Sequence, residues 1–227
     1  MATVRPGPSE TGVLLGLDDQ QGFCSASGVV LSRRILGEGD LYLTLFLKGI
    51  GMTFASVRGG AGGKVRFGGG TEPLMWGSFK LYKSKSGASY LKSADVADDM
   101  LRLRGRADAL FAVIRWVKLL MRRLMEGHPA DDLLANLYWS MKLLDEGRLS
   151  IQAAEWRFLW RWLKSWGLAP DLRECVKCSD AEREFLYMIA AAKVSNAESF
   201  VPVYLLDANT CLFTDAVRSV ERFLEEI

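Results

Sequence analysis

The chain reads as an α+β protein, a head of five short strands followed by an all-helical domain. Three observations carry that reading. Hydrophobic alternation of period two runs through residues 28–94, and a period of 3.6 takes over after Asp95. Charge is also segregated. Residues 28–94 hold ten Lys/Arg against three acids, a balance of +7 in a chain of net charge +2, so the remainder carries −5. A chain of 227 residues is long enough for two small domains. The expected division is a poorly ordered N-terminal extension over 1–27, a β-domain over 28–94 and a helical domain over 95–227.

The extension contains Pro6, Pro8 and mixed polar residues without clear periodicity. A β-branched run over 28–34 predicts the first strand. It is followed by the turn Leu36-Gly37-Glu38-Gly39-Asp40. Leu41, Leu43, Leu45 and Leu47 then alternate with Tyr42, Thr44, Phe46 and Lys48, which sets one leucine face toward a core. Lys48-Gly49-Ile50-Gly51 is a turn into a third strand over 52–58. Seven glycines in 59–70 make a loop, and strands over 74–83 and 88–94 form a hairpin around Lys85-Ser86-Gly87. Five strands joined this tightly predict a closed or nearly closed barrel.

Helical spacing begins with Leu110, Ile114, Val117, Met121 and Leu124, which predict a helix over 106–125 with Arg115, Lys118, Arg122 and Arg123 off its apolar stripe. A second helix is expected over 131–146, with Gly147 as its stop. Ser150 is the expected N-cap of a third over 151–166. Further helical patterns cover 180–194 and 213–226.

Several classes of protein are disfavoured. No apolar run reaches the roughly 18–20 residues of a membrane span. The N-terminus lacks the pattern of a signal peptide, and four cysteines at odd spacings fit a reducing, cytoplasmic setting. The single histidine, His128, rules against a triad or a multi-histidine metal site. Arg58-Gly-Gly-Ala-Gly-Gly-Lys64-Val-Arg66 imitates a phosphate loop, but Arg58 stands where glycine is required and Val65 where Ser or Thr would hold magnesium. Cys175 and Cys178 form half a zinc site, and nothing downstream supplies a second pair. No cofactor and no enzymatic chemistry are expected.

Two clusters invite a binding role. Lys80, Lys83 and Lys85 surround Tyr82 on the last hairpin, so cations would follow phosphates while Tyr82, Tyr90 or Phe67 offered stacking faces. Helix 151–166 carries Trp156, Trp160, Trp162 and Trp166 among Arg157, Arg161 and Lys164. Trp160 lies nearly opposite Trp162 around that helix. It is therefore either sandwiched inside a bundle or an exposed docking residue.

The ordered string Gly28-Val-Val-Leu31, Gly37-Glu38-x-Asp40, Leu43-Thr44-Leu45-Phe46 and Thr71-Glu72-Pro73 resembles the N-terminal barrel of the bacterial recombination mediator family RecO. Phe158-x-x-Arg161-x-Leu163, Gly167-x-x-Pro170-Asp171-Leu172 and Cys175-x-x-Cys178 resemble its central helix and the start of its zinc knuckle. The likeness covers roughly 28–178. It implies an N-terminal five-stranded oligonucleotide-binding (OB) barrel, then a helical domain with a degenerate CxxC knuckle that does without zinc. It implies DNA repair through the RecF pathway: binding of single- and double-stranded DNA, strand annealing, and work with RecR to load RecA onto DNA coated by single-stranded-DNA-binding protein. The DNA contacts would fall on Arg33, Arg34, Arg58, Lys64, Arg66, Lys80, Lys83 and Lys85. Glycines stand in 58–66 where the family carries further cations, which shifts weight to Arg33, Arg34 and the 80–85 hairpin. The acidic tail of single-stranded-DNA-binding protein would dock at Trp160, Arg157, Arg161 and Lys164. A protein-interaction adaptor that docks an acidic peptide, or an RNA-binding OB protein, are the alternative readings.

Overall fold

Five strands close into a barrel in the order β1-β2-β3-β5-β4: β1 (Gly22–Leu36), β2 (Asp40–Leu47), β3 (Gly51–Val57), β4 (Trp76–Lys83) and β5 (Ser89–Asp98). The computed structural model describes residues 22–37, 39–60, 67, 69–169, 171–175, 178–191 and 210–226. All strand pairs are antiparallel except β3 with β5, which is parallel. That topology is the OB fold. Alternation decides what fills it. Val30, Leu41, Leu43, Leu45, Leu47, Ala55, Val57, Phe79, Leu81 and Leu91 point inward and make the barrel core.

The barrel is longer than 28–94 at both ends. Residues 22–27, expected to belong to the loose extension, are the first part of β1 and pair with β4 from Ser78 to Lys83. Cys24 and Ala26 turn toward the core while Phe23, Ser25 and Ser27 turn out. Side chains this small give almost no hydrophobic alternation to read. β5 likewise runs on to Asp98, and β4 begins at Trp76 because Leu74 takes a left-handed turn conformation with φ 68°.

The helices are α1 (Leu101–Arg104), α2 (Ala107–Arg123), α3 (Asp131–Asp145), α4 (Ile151–Ser165), α5 (Leu172–Cys175), α6 (Asp180–Ala191) and α7 (Thr210–Glu226). Ser150 caps α4 as expected, its hydroxyl accepting from Ala153 N–H at 3.3 Å. α4 is the axis of the bundle. Its Trp156, Phe158, Trp160 and Trp162 are all buried, and Phe158 stacks on Trp116 of α2 with ring centres 5.1 Å apart. Glu155, also buried, accepts from the Trp116 indole at 2.8 Å and pairs with Arg115. Residues 192–194 and 200–206, for which the sequence reading extended or left open the helical pattern, lie outside the described residues.

Barrel and bundle share one core. Val29, Leu31, Phe46, Leu74 and Trp76 leave the outer wall of the barrel and join the helical cluster. Trp76 meets Tyr138 of α3 edge-on at 4.9 Å. Beside it Asp98 accepts from Lys142 at 2.8 Å, Tyr138 at 3.3 Å and Met100 N–H at 3.1 Å. Burial works against the Asp98 charge, but the Lys142 hydrogen bond and the others outweigh it and hold the carboxyl below its ordinary pKa. On β3, where Met52 lies opposite Phe46, the α2–α3 connection bridges the strand at Met52–Glu126, and Gly49 N–H donates to Asp131 at 2.7 Å. Gly51 makes that approach possible. Its φ is +85°, and a Cβ there would sit 2.0 Å from the His128 carbonyl oxygen.

Candidate nucleic-acid interface

A row of outward side chains runs in register once around the closed barrel, and none of them belongs to the core shared with the helices. Arg34 on β1 is opposite Tyr42 on β2, Tyr42 opposite Ser56 on β3, Ser56 opposite Tyr90 on β5, Tyr90 opposite Tyr82 on β4, and Tyr82 opposite Phe23 back on β1. Tyr42, Ser56, Tyr90 and Tyr82 each flank an inward core residue (Leu41, Val57, Leu91 or Leu81), so the parity of the strands puts them outside, and their partners Arg34 and Phe23 are themselves exposed. Phe23 and Tyr82 touch, with ring centres 5.0 Å apart, and Tyr42 stacks on Phe54 at 5.6 Å.

Cations lie over these rings. Lys80 is 5.1 Å from the Phe23 centroid, Lys92 is 5.3 Å from Tyr82, and Arg58 is 5.1 Å from Tyr90. A cleft of about 390 Å³ opens among Ser56, Arg58, Tyr82, Ser84, Tyr90 and Lys92. The Gly59 N–H donates to Asp40 at 2.7 Å, which ties the turn after β3 to the start of β2 and steadies Arg58. Chemically the row offers flat π faces at half-exposed tyrosines, with positive charge within reach of each.

Of the residues expected from sequence, Arg58 and Lys80 fall in this row, with Tyr82 and Tyr90 beneath or beside them. Arg34 faces Tyr42 at the opposite end of β1 from Phe23. Arg33 shares Leu43's side of the sheet instead and is ion-paired with Glu72. Lys83 is half-buried at the end of β4, and Lys85 is exposed in the β4–β5 turn. Lys64 and Arg66 lie outside the described residues. Three members of the site were missed: Phe23, Lys92, and the Tyr42–Phe54 pair. Phe23 was hidden in the supposed extension. Lys92 reaches Tyr82 beside a register shift between Lys80 and Leu81, which no local pattern announces.

The helical cluster changes more. Trp160 is 6% exposed, packed against Trp156 at 5.0 Å and Tyr187 at 5.5 Å, so it is a core residue and not a docking one. It is buried because α6 covers the side of α4 opposite Trp162. Arg157 is buried too and donates to Ser140 at 2.8 Å. Burial, and then the neighbouring Arg161 charge, pull its pKa down to about 9. Arg157, Arg161 and Lys164 line a groove of about 340 Å³ whose aromatic wall is Trp139 of α3, 40% exposed. Cys178 is half-buried, and burial raises its thiol pKa, the nearby Arg183 opposing. The side chain of Cys175 is outside the description. Among the described residues no group of three or more His, Cys, Asp or Glu is placed to hold a metal ion, and no helix is long and apolar enough to cross a membrane.

Barrel topology, the helical domain fused to its wall, and the cation-covered aromatic row together define an OB-fold protein with a helical C-terminal domain. Comparison with known families agrees. The family described as Recombination protein O N terminal matches residues 23–100, from the start of β1 to just past β5, and Recombination protein O C terminal matches residues 104–216. The chain belongs to the RecO family. It is 26% identical to the DNA repair protein RecO of Acetivibrio thermocellus over 165 residues, which covers 73% of this chain and 65% of that protein. It is 32% identical to the DNA repair protein RecO of Anaeromyxobacter dehalogenans over 155 residues, covering 67% and 60%. A third relative, the DNA repair protein RecO of Exiguobacterium sibiricum, is 26% identical over 164 residues, covering 72% and 65%. The chain thus spans less than two thirds of the length of each of these relatives.

Proposed function

We propose that the chain is a DNA repair and recombination mediator that holds single-stranded DNA across the open side of its barrel. The observation that carries this is the row Phe23–Tyr82–Tyr90 with Lys80, Lys92 and Arg58 over its rings. A cation parked on a ring can move to a phosphate when a strand arrives, and the ring is then free to stack on a base. Base–aromatic stacking contributes about 1–3 kcal/mol per base and tolerates any sequence. Backbone contacts from Lys and Arg position a strand without reading it. Such a grip leaves base edges free to pair, as annealing of complementary strands requires. Family membership supports the wider role, in the cytoplasm: annealing, and with RecR the loading of RecA onto DNA coated by single-stranded-DNA-binding protein.

Fluorescence anisotropy across a salt series tests the reading. About four phosphate contacts give a log–log slope near −3 on single strands. Replacing Arg58, Lys80 and Lys92 by Ala should make that slope shallower by about 2. A flat response in the unaltered chain would reject the grip. Competition between RNA and DNA of equal sequence separates the RNA-binding alternative, and strand annealing with and without RecR tests the mediator role.

A second reading concerns the α3–α4 groove. Its exposed Trp139 beside Arg161 and Lys164, with the buried Arg157 at its floor, offers an apolar wall and positive charge to an acidic peptide such as the tail of single-stranded-DNA-binding protein. Binding of that peptide should be weakened by Trp139→Ala and unaffected by Trp160→Phe.

A further inference from the structure

The charge of the helical half is not evenly spread. Residues 101–123 hold seven Lys/Arg against one acid, Asp108, a second positive region inside the half that is acidic as a whole. Part of this charge is already committed. Arg104 donates to the Asp99 and Pro73 carbonyls, and Arg106 reaches the Leu144 carbonyl at 3.5 Å. Arg115 is held by Glu155 and Glu221. Lys118 and Arg122 remain exposed. They continue the stripe Phe111, Arg115, Lys118, Arg122, whose spacing of three and four residues keeps it on the solvent side of α2. The opposite side buries Ala112, Val113, Trp116, Val117 and Leu120.

The stripe is continuous with the barrel. The β2–β3 turn carries the exposed Lys48, and the α2–α3 connection is fixed to it at both Gly49–Asp131 and Met52–Glu126. Arg122 stands four residues before Glu126, and Met52 four residues along β3 from Ser56 in the aromatic row. At a strand rise of about 3.3 Å per residue, that last step is about 13 Å.

We propose that Lys118 and Arg122 of α2, approached past Lys48, form a second phosphate track that engages a nucleic-acid strand leaving the barrel. The inference rests on the barrel reading and extends it. It commits to a polynucleotide because the stripe is cationic, open and joined to a surface built for stacking. Lys118 and Arg122 are separated by one helical turn, about 6 Å along the axis, so each can meet a different phosphate.

The test compares oligo(dT) of about 8 nucleotides, within the range one OB fold covers, with oligo(dT) of about 30. Anisotropy is measured over a salt series for the unaltered chain and for Lys118→Ala/Arg122→Ala, with circular dichroism melting as the folding control. The expected result is unchanged binding of the short strand, and for the long strand a log–log salt slope shallower by about 1.4, two single-strand contacts. A double variant that binds the long strand with the original slope would overturn the second track while leaving the barrel reading intact. Failure of the unaltered chain to bind the short strand would instead remove the barrel reading, and the track with it.

Discussion

On one side of the barrel Val29, Leu31, Phe46 and Trp76 point outward into the helical domain. On the other, Phe23, Tyr82 and Tyr90 point outward beneath Lys80, Lys92 and Arg58. Strand β4 carries both kinds of surface, with Trp76 and Tyr82 an even number of residues apart on the same outer side. What separates them is their company. Trp76 lies opposite Val29 and against Tyr138, and the one charge across from it, Asp98 on β5, is satisfied by Lys142, Tyr138 and Met100 N–H. Tyr82 lies among charged groups whose hydration resists burial, so its ring stays half-open. An outward aromatic on a strand is therefore core or site according to the residues across from it, not by its own identity.

The sharpest way to break the contrast is at the covered side. Trp76→Ala should cost about 3–5 kcal/mol of stability, as for other buried aromatics truncated to Ala, read as a lower midpoint in chemical denaturation. A small loss would mean that the helices do not depend on the barrel wall. On the open side, Tyr82→Ala should leave the denaturation midpoint nearly unchanged and weaken single-strand binding by about 1–3 kcal/mol. Equal damage to stability would make Tyr82 a core residue after all.

The seam between the two surfaces adds a pH signature. Asp98 has a folded pKa below its unfolded value, so its contribution is present above the unfolded pKa and is lost as pH falls through the folded one. Asp98→Asn should lower stability by about 1–2 kcal/mol at neutral pH, the scale of a charge-assisted hydrogen bond. That difference should shrink in acid, measured as denaturation midpoints from pH 7 down to pH 3. A difference constant with pH would exclude the carboxylate as its source. The smallest effect belongs to Lys85, exposed in the β4–β5 turn. Its replacement by Ala should reduce the salt slope by about 0.7 if it meets one phosphate, and not at all if it is only solvated.

Much of this was legible in the sequence because its causes are local. The leucine alternation of β2, the serine cap of α4 and the change of period after Asp95 all depend on neighbours within a few residues. The rest depends on pairings the sequence does not display. The row from Tyr42 through Tyr90 to Phe23 exists only because β3 pairs parallel with β5 and β1 is long enough to reach Lys83. Phe23 could not be placed while Ser25 and Ser27 gave its strand so weak a pattern. Trp160 sits on a helix with large aromatics on more than one face, and which side faces solvent is settled by α6, a distant element. The basic residues on α2 were visible, but their exposure was not, since part of the same group is spent on Glu155, Glu221 and backbone carbonyls.

The central claim is that single-stranded DNA lies across the open side of the barrel. Amide chemical-shift mapping by NMR, with oligo(dT) titrated into the isotope-labelled chain, addresses it most directly. The account predicts shifts concentrated at residues 22–25, 56–58 and 80–92, with the seam around Val29, Trp76 and Asp98 unmoved. Shifts centred on the α3–α4 groove, with the barrel silent, would contradict it.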